Sequence, residues 1–195
     1  GSLLSLTFIL TFYFATNGVN TMITCFNATY HLKDKRTWLQ LKILSINLTL
    51  ILSLLFIITI ALQIFSLEFL NNLVRENYLE QYAANLIIYA KWLIFVMVLF
   101  ISISILYYYG PADKRDWKFL SAGSITATIL NVITSLGFSY YVDNFAQYNQ
   151  LYGSIGTLIV ILLWMYFNSI ILLLGFELNA SIMSAKDKQT IKIDS

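Results

Sequence analysis

Gly156 to Leu174 reads GTLIVILLWMYFNSIILLL, 19 residues in which Thr157, Asn168 and Ser169 are the polar ones and none is charged. At about 1.5 Å of rise per residue this run makes a helix of ~28 Å, close to the ~30 Å thickness of a hydrocarbon core. A helix that is apolar on every face has to be buried on every face, and a bilayer supplies that burial. Upstream lies a polar, tyrosine-rich approach, Asn144 to Tyr152, which leads into Gly153-Ser154-Ile155. Downstream the run closes on Gly175-Phe176-Glu177-Leu178-Asn179-Ala180.

The rest of the chain agrees with this solvent. Of 195 residues, 58% are hydrophobic and 11% are charged, against about 25% charged in soluble domains. Mean hydropathy is +0.73. One proline and eight glycines leave little room for linkers, so the chain reads as one domain, residues 1–185, with a short cytoplasmic tail, 186–195. Cys25 is the single cysteine, which excludes an intrachain disulfide and a cysteine-cluster metal site. A net charge of +2 is too small to suggest nucleic-acid binding. Leu3 to Ala15 has no basic region before it and no small-residue cleavage site after it, so no removable leader is read there.

Four further spans precede the last one. Leu3 to about Tyr30 carries Tyr13, Thr16, Asn20, Thr24, Asn27 and His31 at helical spacing on one face. That face is read either as the wet side of an interfacial helix or as the polar wall of a cavity. Trp38 to Phe65 is the second span, with Ser45, Thr49, Thr59 and Gln63 along one side, as expected for helix–helix contacts. Leu86 to Tyr107 is the third, with Lys91 one turn inside its entrance, and Gly110-Pro111 stops it. Phe119 to Tyr141 is the fourth, striped by Ser121, Ser124, Thr128, Asn131, Ser135 and Ser139. Between spans two and three, Ser66 to Asn85 alternates apolar residues with Glu68, Arg75, Glu76 and Glu80, which predicts an amphipathic helix on the membrane surface. The predicted fold is an all-α polytopic bundle of about five spanning helices plus that interfacial helix.

Charge gives the orientation. Lys33, Lys35, Arg36 and Lys42 fall between or beside spans one and two, Lys114, Arg115 and Lys118 between spans three and four, and Lys186, Lys188 and Lys192 after span five. The opposite side receives Arg75 and Lys91. The positive-inside rule places the first set in the cytoplasm, so the C-terminus is expected inside and the start of this chain outside.

Tyr152-Gly153-Ser154-Ile155-Gly156, then Trp164, then Gly175 to Ala180 resembles the C-terminal signature of the YihY/BrkB family of bacterial inner-membrane proteins. Tyr109-Gly110-Pro111 and Gly18 to Tyr30 fit the same family, and the resemblance covers essentially the whole chain. It implies an inner-membrane, multi-pass location and an envelope role. It also implies another hydrophobic helix and an amphipathic segment ahead of Leu3. The chain is therefore read as a fragment, or Gly1-Ser2 as a cloning remnant. Older naming of the family includes ribonuclease BN. One histidine, His31, and acids scattered on both membrane sides make no ligand pattern for metal-dependent RNA cleavage, so that label is read as a misnomer and the protein as a non-enzyme.

Candidate ligand- or lipid-binding residues are Asn20 and Asn131 on the two polar stripes, Tyr152, Gly153 and Gly156 at the outer turn, and Asn168, Glu177 and Asn179 on the last helix. The free N–H groups where that helix begins suit an anionic headgroup, and a plain turn is the plainer reading. Asn168, Gly175 and Asn179 share a face, and Glu177 points away from it. No catalytic residue, metal or cofactor is expected. Expected partners are membrane lipids and no nucleic acid, with self-association or other envelope proteins left open. Handling or transport of a lipid or other amphiphile is the leading expectation, and a structural scaffold the alternative.

Overall fold

The computed structural model describes residues 2–29, 34–75, 81–112, 118–144 and 154–193, and the elements in them are five helices. They are α1 (Ser2–Thr29), α2 (Trp38–Arg75), α3 (Gln81–Tyr109), α4 (Ala122–Asn144) and α5 (Ser154–Ile193). Each holds a run long and apolar enough to cross a membrane: Leu3–Thr29, Trp38–Ile64, Leu86–Tyr109, Ala122–Val142 and Gly156–Lys186. Even the shortest, 21 residues, reaches about 32 Å.

One expected element takes a different form. Ser66 to Asn85 makes no separate interfacial helix, because α2 runs unbroken to Arg75 and α3 opens at Gln81. No proline or glycine lies between Phe65 and Arg75, so nothing in the backbone stops α2 where its apolar run ends. At the other end of the chain, α5 continues through Ile193, so most of the stretch read as a tail is helical.

The helix ends are set by local chemistry. Before α2, Thr37 N–H donates to Gln40 Oε1 at 2.9 Å and Gln40 N–H to Thr37 Oγ1 at 3.4 Å, a reciprocal capping box. Ser121 and Ser124 do the same for α4, each backbone N–H donating to the other's hydroxyl at 3.2 and 3.1 Å. α3 stops at Gly110, whose N–H donates to Leu106 O at 2.9 Å, and at buried Pro111.

Along the helices, hydroxyls turn back onto their own backbone. Thr16, Thr49, Thr59, Ser102 and Thr128 each donate to the carbonyl four residues earlier at 2.7–2.9 Å. Hydrocarbon offers no partner to a hydroxyl, so an internal acceptor is needed. Ser104 Oγ is a buried exception without a partner.

α1 packs on α2, α2 on α3, α3 on α4 and α4 on α5, and α1 also meets α5. The core gathers at one end of this ring, where α1 and α3 finish, α4 begins and the uncharged run of α5 gives way to Gly175 and Phe176. Phe26, Ile103, Leu106, Tyr107, Ala127, Ile171 and Phe176 form it. Phe26 stacks on Phe176 with ring centres 4.4 Å apart, and Tyr107 meets both rings edge-on at 5.6 and 5.7 Å. Tyr107 also donates its hydroxyl to Leu172 O at 2.6 Å.

That hydroxyl fits because position 175 has no side chain. A Cβ on Gly175 would stand 2.6 Å from Tyr107 Oη, 2.7 Å from Ala127 Cβ and 2.8 Å from Gly123 O, and a Cβ on Gly123 would collide with Gly175 O. The α4 and α5 backbones therefore touch. At the far end the helices present their side chains outward, with Leu4 80% and Tyr140 73% exposed.

Gly175→Ala is expected to lower the thermal midpoint of the detergent-solubilised chain, at an overpacking cost of ~1–3 kcal/mol. Gly137→Ala, where an added carbon meets nothing within 4 Å, is expected to leave it unchanged or raise it slightly. Equal midpoints for wild type and Gly175→Ala would refute the close approach.

Candidate functional site

Two polar seams and a set of cavities are the places where chemistry could be held. The first seam joins α4 to α5. Asn179, buried on α5, accepts from Gly123 N–H at 2.7 Å through Oδ1 and donates to Ser121 Oγ at 2.8 Å through Nδ2. It thereby satisfies a donor that the first turn of α4 leaves open. One to two turns further on, Thr128 is buried and bonded to Ser124 O. Asn131 Nδ2 donates to Asn168 Oδ1 at 2.6 Å, and Asn168 Nδ2 donates to Trp164 O at 2.7 Å. The stripe on the fourth span and the asparagines of the last helix are thus brought together, and they bond to one another.

The second seam ties the end of α1 to the two nearby loops. Asn27 is buried, accepts from Ala112 N–H at 2.8 Å and donates to Asp34 Oδ2 at 2.9 Å. Arg36 holds Asp34 with Nη2 at 2.7 Å and Nε at 2.9 Å, and reaches Gly110 O with Nη2 at 2.9 Å. The Arg36 guanidinium holds the Asp34 carboxyl below its ordinary value of 3.8, against a smaller opposing effect of burial, and the Asn27 amide helps. Sequence reading placed Asp34 and Arg36 in a basic loop and missed this clasp. Asn27 on the α1 polar face was the available signal, since a buried asparagine demands partners.

Higher on α1, Asn20 Oδ1 lies 3.4 Å from Ser45 Oγ, and Asn17 Oδ1 accepts from Lys42 Nζ at 2.7 Å. Lys42 Nζ also sits 5.0 Å from the centre of the Tyr13 ring. Glu177 is exposed, on the opposite side of α5 from Asn179. Gly156 is buried near the start of α5, and Tyr152 and Gly153 lie outside the described residues. The described candidates therefore do not converge on one pocket. Asn131 pairs with Asn168, Asn179 bonds α4, and Asn20 meets α2. Among the described residues no group of three His, Cys, Asp or Glu side chains is placed to hold a metal ion.

The cavities lie elsewhere. One of about 430 Å³ sits among α1, α2 and α3, lined by Val19, Thr49, Phe56, Phe95, Leu99 and Ser102 among others. A second, about 210 Å³, continues between α2 and α3 past Gln63 and Lys91. A third, about 420 Å³, opens between α4 and α5 at Thr134, Phe138, Tyr141 and Phe167. Sequence reading assigned the hydroxyls of the second span to helix contacts, and here Thr49 and Thr59 line a cavity.

Asn179→Ala strips partners from Gly123 N–H and Ser121 Oγ, so a loss of about 1–3 kcal/mol in unfolding free energy is expected. A denaturation midpoint equal to wild type would contradict that role. For Asp34, the folded value lies below 3.8, so its contribution is complete above that value and is lost as pH falls through the folded one. The thermal midpoint of wild type is expected to exceed that of Asp34→Asn at neutral pH, and the gap to close only in acid below about 3.8. A gap independent of pH would contradict the ionised clasp.

The sequence profile of the family described as Virulence factor BrkB matches residues 1–194. The ribonuclease-like protein YfkH of Bacillus subtilis is 32% identical over 188 residues, 95% of this chain and 68% of that protein. A UPF0761 membrane protein of Pseudoalteromonas translucida is 32% identical over 89 residues, 46% of this chain and 30% of its own length. Another, from Xanthomonas campestris, is 36% identical over 86 residues, 44% of this chain and 20% of its own length. The chain thus spans about two-thirds of the first relative and less than a third of the other two. No solved structure matches it. With its five spans and with that match running through both polar seams, the chain belongs to the Virulence factor BrkB family of membrane proteins.

Proposed function

We propose that the protein handles a lipid or another amphiphile in the bacterial inner membrane, without covalent chemistry, by giving it a path or a resting place between helices. The observation that carries this reading is the one-sided packing. The bundle is knitted at the end holding Phe26, Tyr107 and Phe176, while cavities of about 430 and 420 Å³ stand between helices at membrane depth. Pockets that open sideways into hydrocarbon admit what is already dissolved there. The knitted end also carries Lys35, Arg36, Lys42 and Lys118, which supports a cytoplasmic C-terminus.

A scaffold role is the second reading, favoured by the spent asparagines. Asn131, Asn168 and Asn179 use their amides within the α4–α5 seam, as a packing device would. The name of YfkH raises a nuclease, and the single histidine of this sequence gives that little chemical support.

Reconstituted into vesicles with a trace of fluorescent phospholipid, the protein is expected to raise the rate at which outer-leaflet label becomes inaccessible to a membrane-impermeant quencher. A rate equal to that of protein-free vesicles would sink the proposal and leave the scaffold reading.

A further inference from the structure

The cavity among α1, α2 and α3 and the smaller one between α2 and α3 adjoin at two shared lining residues, Thr59 and Phe95, and the pair is called the trough. Its far end holds Lys91, half-buried, with Leu62, Gln63, Ile87 and Ile94 on the same wall. Its near end reaches Ser102. Lys91 to Ser102 is 11 residues of α3, about 16 Å of rise. Half of a ~30 Å hydrocarbon core is ~15 Å, so the trough is about one leaflet long.

The chemistry along it is graded. Thr49, Thr59 and Ser102 line it, yet each hydroxyl donates to a carbonyl of its own helix. Their hydrogens are spent, which leaves Ser53 as the other hydroxyl on the wall. Phe56, Phe95 and Leu99 complete an apolar wall. Lys91 differs: among the described residues no acidic side chain forms a salt bridge with it. A half-buried ammonium inside a hydrophobic span calls for an anion. An apolar trough with a cation at its interfacial end therefore complements a molecule with a negative head and a hydrocarbon tail.

Resting on the lipid-handling reading above, we propose that this trough seats one anionic phospholipid, its phosphate on the Lys91 ammonium and one acyl chain along Phe95 toward Ser102. Charge complementarity selects this occupant over a second protein helix. A transmembrane helix is about 10–12 Å across, and its apolar face offers an ammonium no counter-charge.

The test uses the whole chain in nanodiscs containing trace radiolabelled phosphatidylglycerol or phosphatidylcholine. A photo-reactive benzoylphenylalanine replaces Phe95, or Leu93 as a lipid-facing control that is 61% exposed and outside the trough. Position 95 is expected to capture phosphatidylglycerol about fivefold more than phosphatidylcholine, the order set by one cation near a membrane surface, and position 93 to capture both equally. Lys91→Gln is expected to abolish the preference and Lys91→Arg to keep it. Equal capture at position 95, a preference that survives Lys91→Gln, or a cross-linked dimer of the chain in place of a lipid adduct would each overturn the assignment. Selective capture without accelerated translocation would sink the transport reading alone, and translocation without selective capture would sink this seat alone.

Discussion

The contact of two backbones at Gly123 and Gly175 is the constraint from which the packed end follows. Between transmembrane helices there is little hydrophobic gain, because lipid tails are as apolar as leucine, so association depends on close fit and hydrogen bonds. The two glycines provide the fit. They bring α4 against α5 closely enough for Asn179 to reach the opening turn of α4, and they leave a slot for the Tyr107 hydroxyl. Tyr107 in turn meets Phe26 and Phe176, so α1 and α3 are drawn to the same point. A side chain at position 123 would meet Gly175 O and Asn179, and one at 175 would meet the Tyr107 hydroxyl, so both ties depend on the glycines.

A second tie works at the same end in a wetter setting. Asn27, Asp34, Arg36 and the Gly110–Ala112 turn form a clasp with charge-assisted bonds where the apolar runs of α1 and α3 end. It restrains the chain where α1 hands over to α2 and where α3 stops. The membrane-embedded seam relies on neutral amides and hydroxyls, and the charged pair is kept to the boundary. That division follows the cost of placing an ion at depth.

How far the sequence could be read depended on what kind of signal each feature leaves. Long uncharged runs betray their solvent directly, and all five spans were legible. Helical spacing put Gly175 and Asn179 on one face and Glu177 on the other, as found. The Ser66–Asn85 stretch was less legible, since alternating charge marks a surface location without saying where a helix stops. The trough was missed because in a bilayer both the protein-facing and lipid-facing sides of a helix are apolar, so periodicity cannot tell a packed face from a vacant one. The polar stripes drew attention to α1 and α4, where a polar group needs a partner and found one. The trough lies mainly along α2 and α3, where Thr59 and Ser102 had already bonded to their own backbones.

The aromatic knot of Phe26, Tyr107 and Phe176 has a mechanical consequence. Rods joined near one end of their apolar runs behave as the ribs of a fan. A change in tilt of about 10° over a ~30 Å span displaces the free tips by ~5 Å while the rings at the pivot scarcely move. Small rotations at that joint therefore set how far α1, α3 and α5 stand apart at their distant ends.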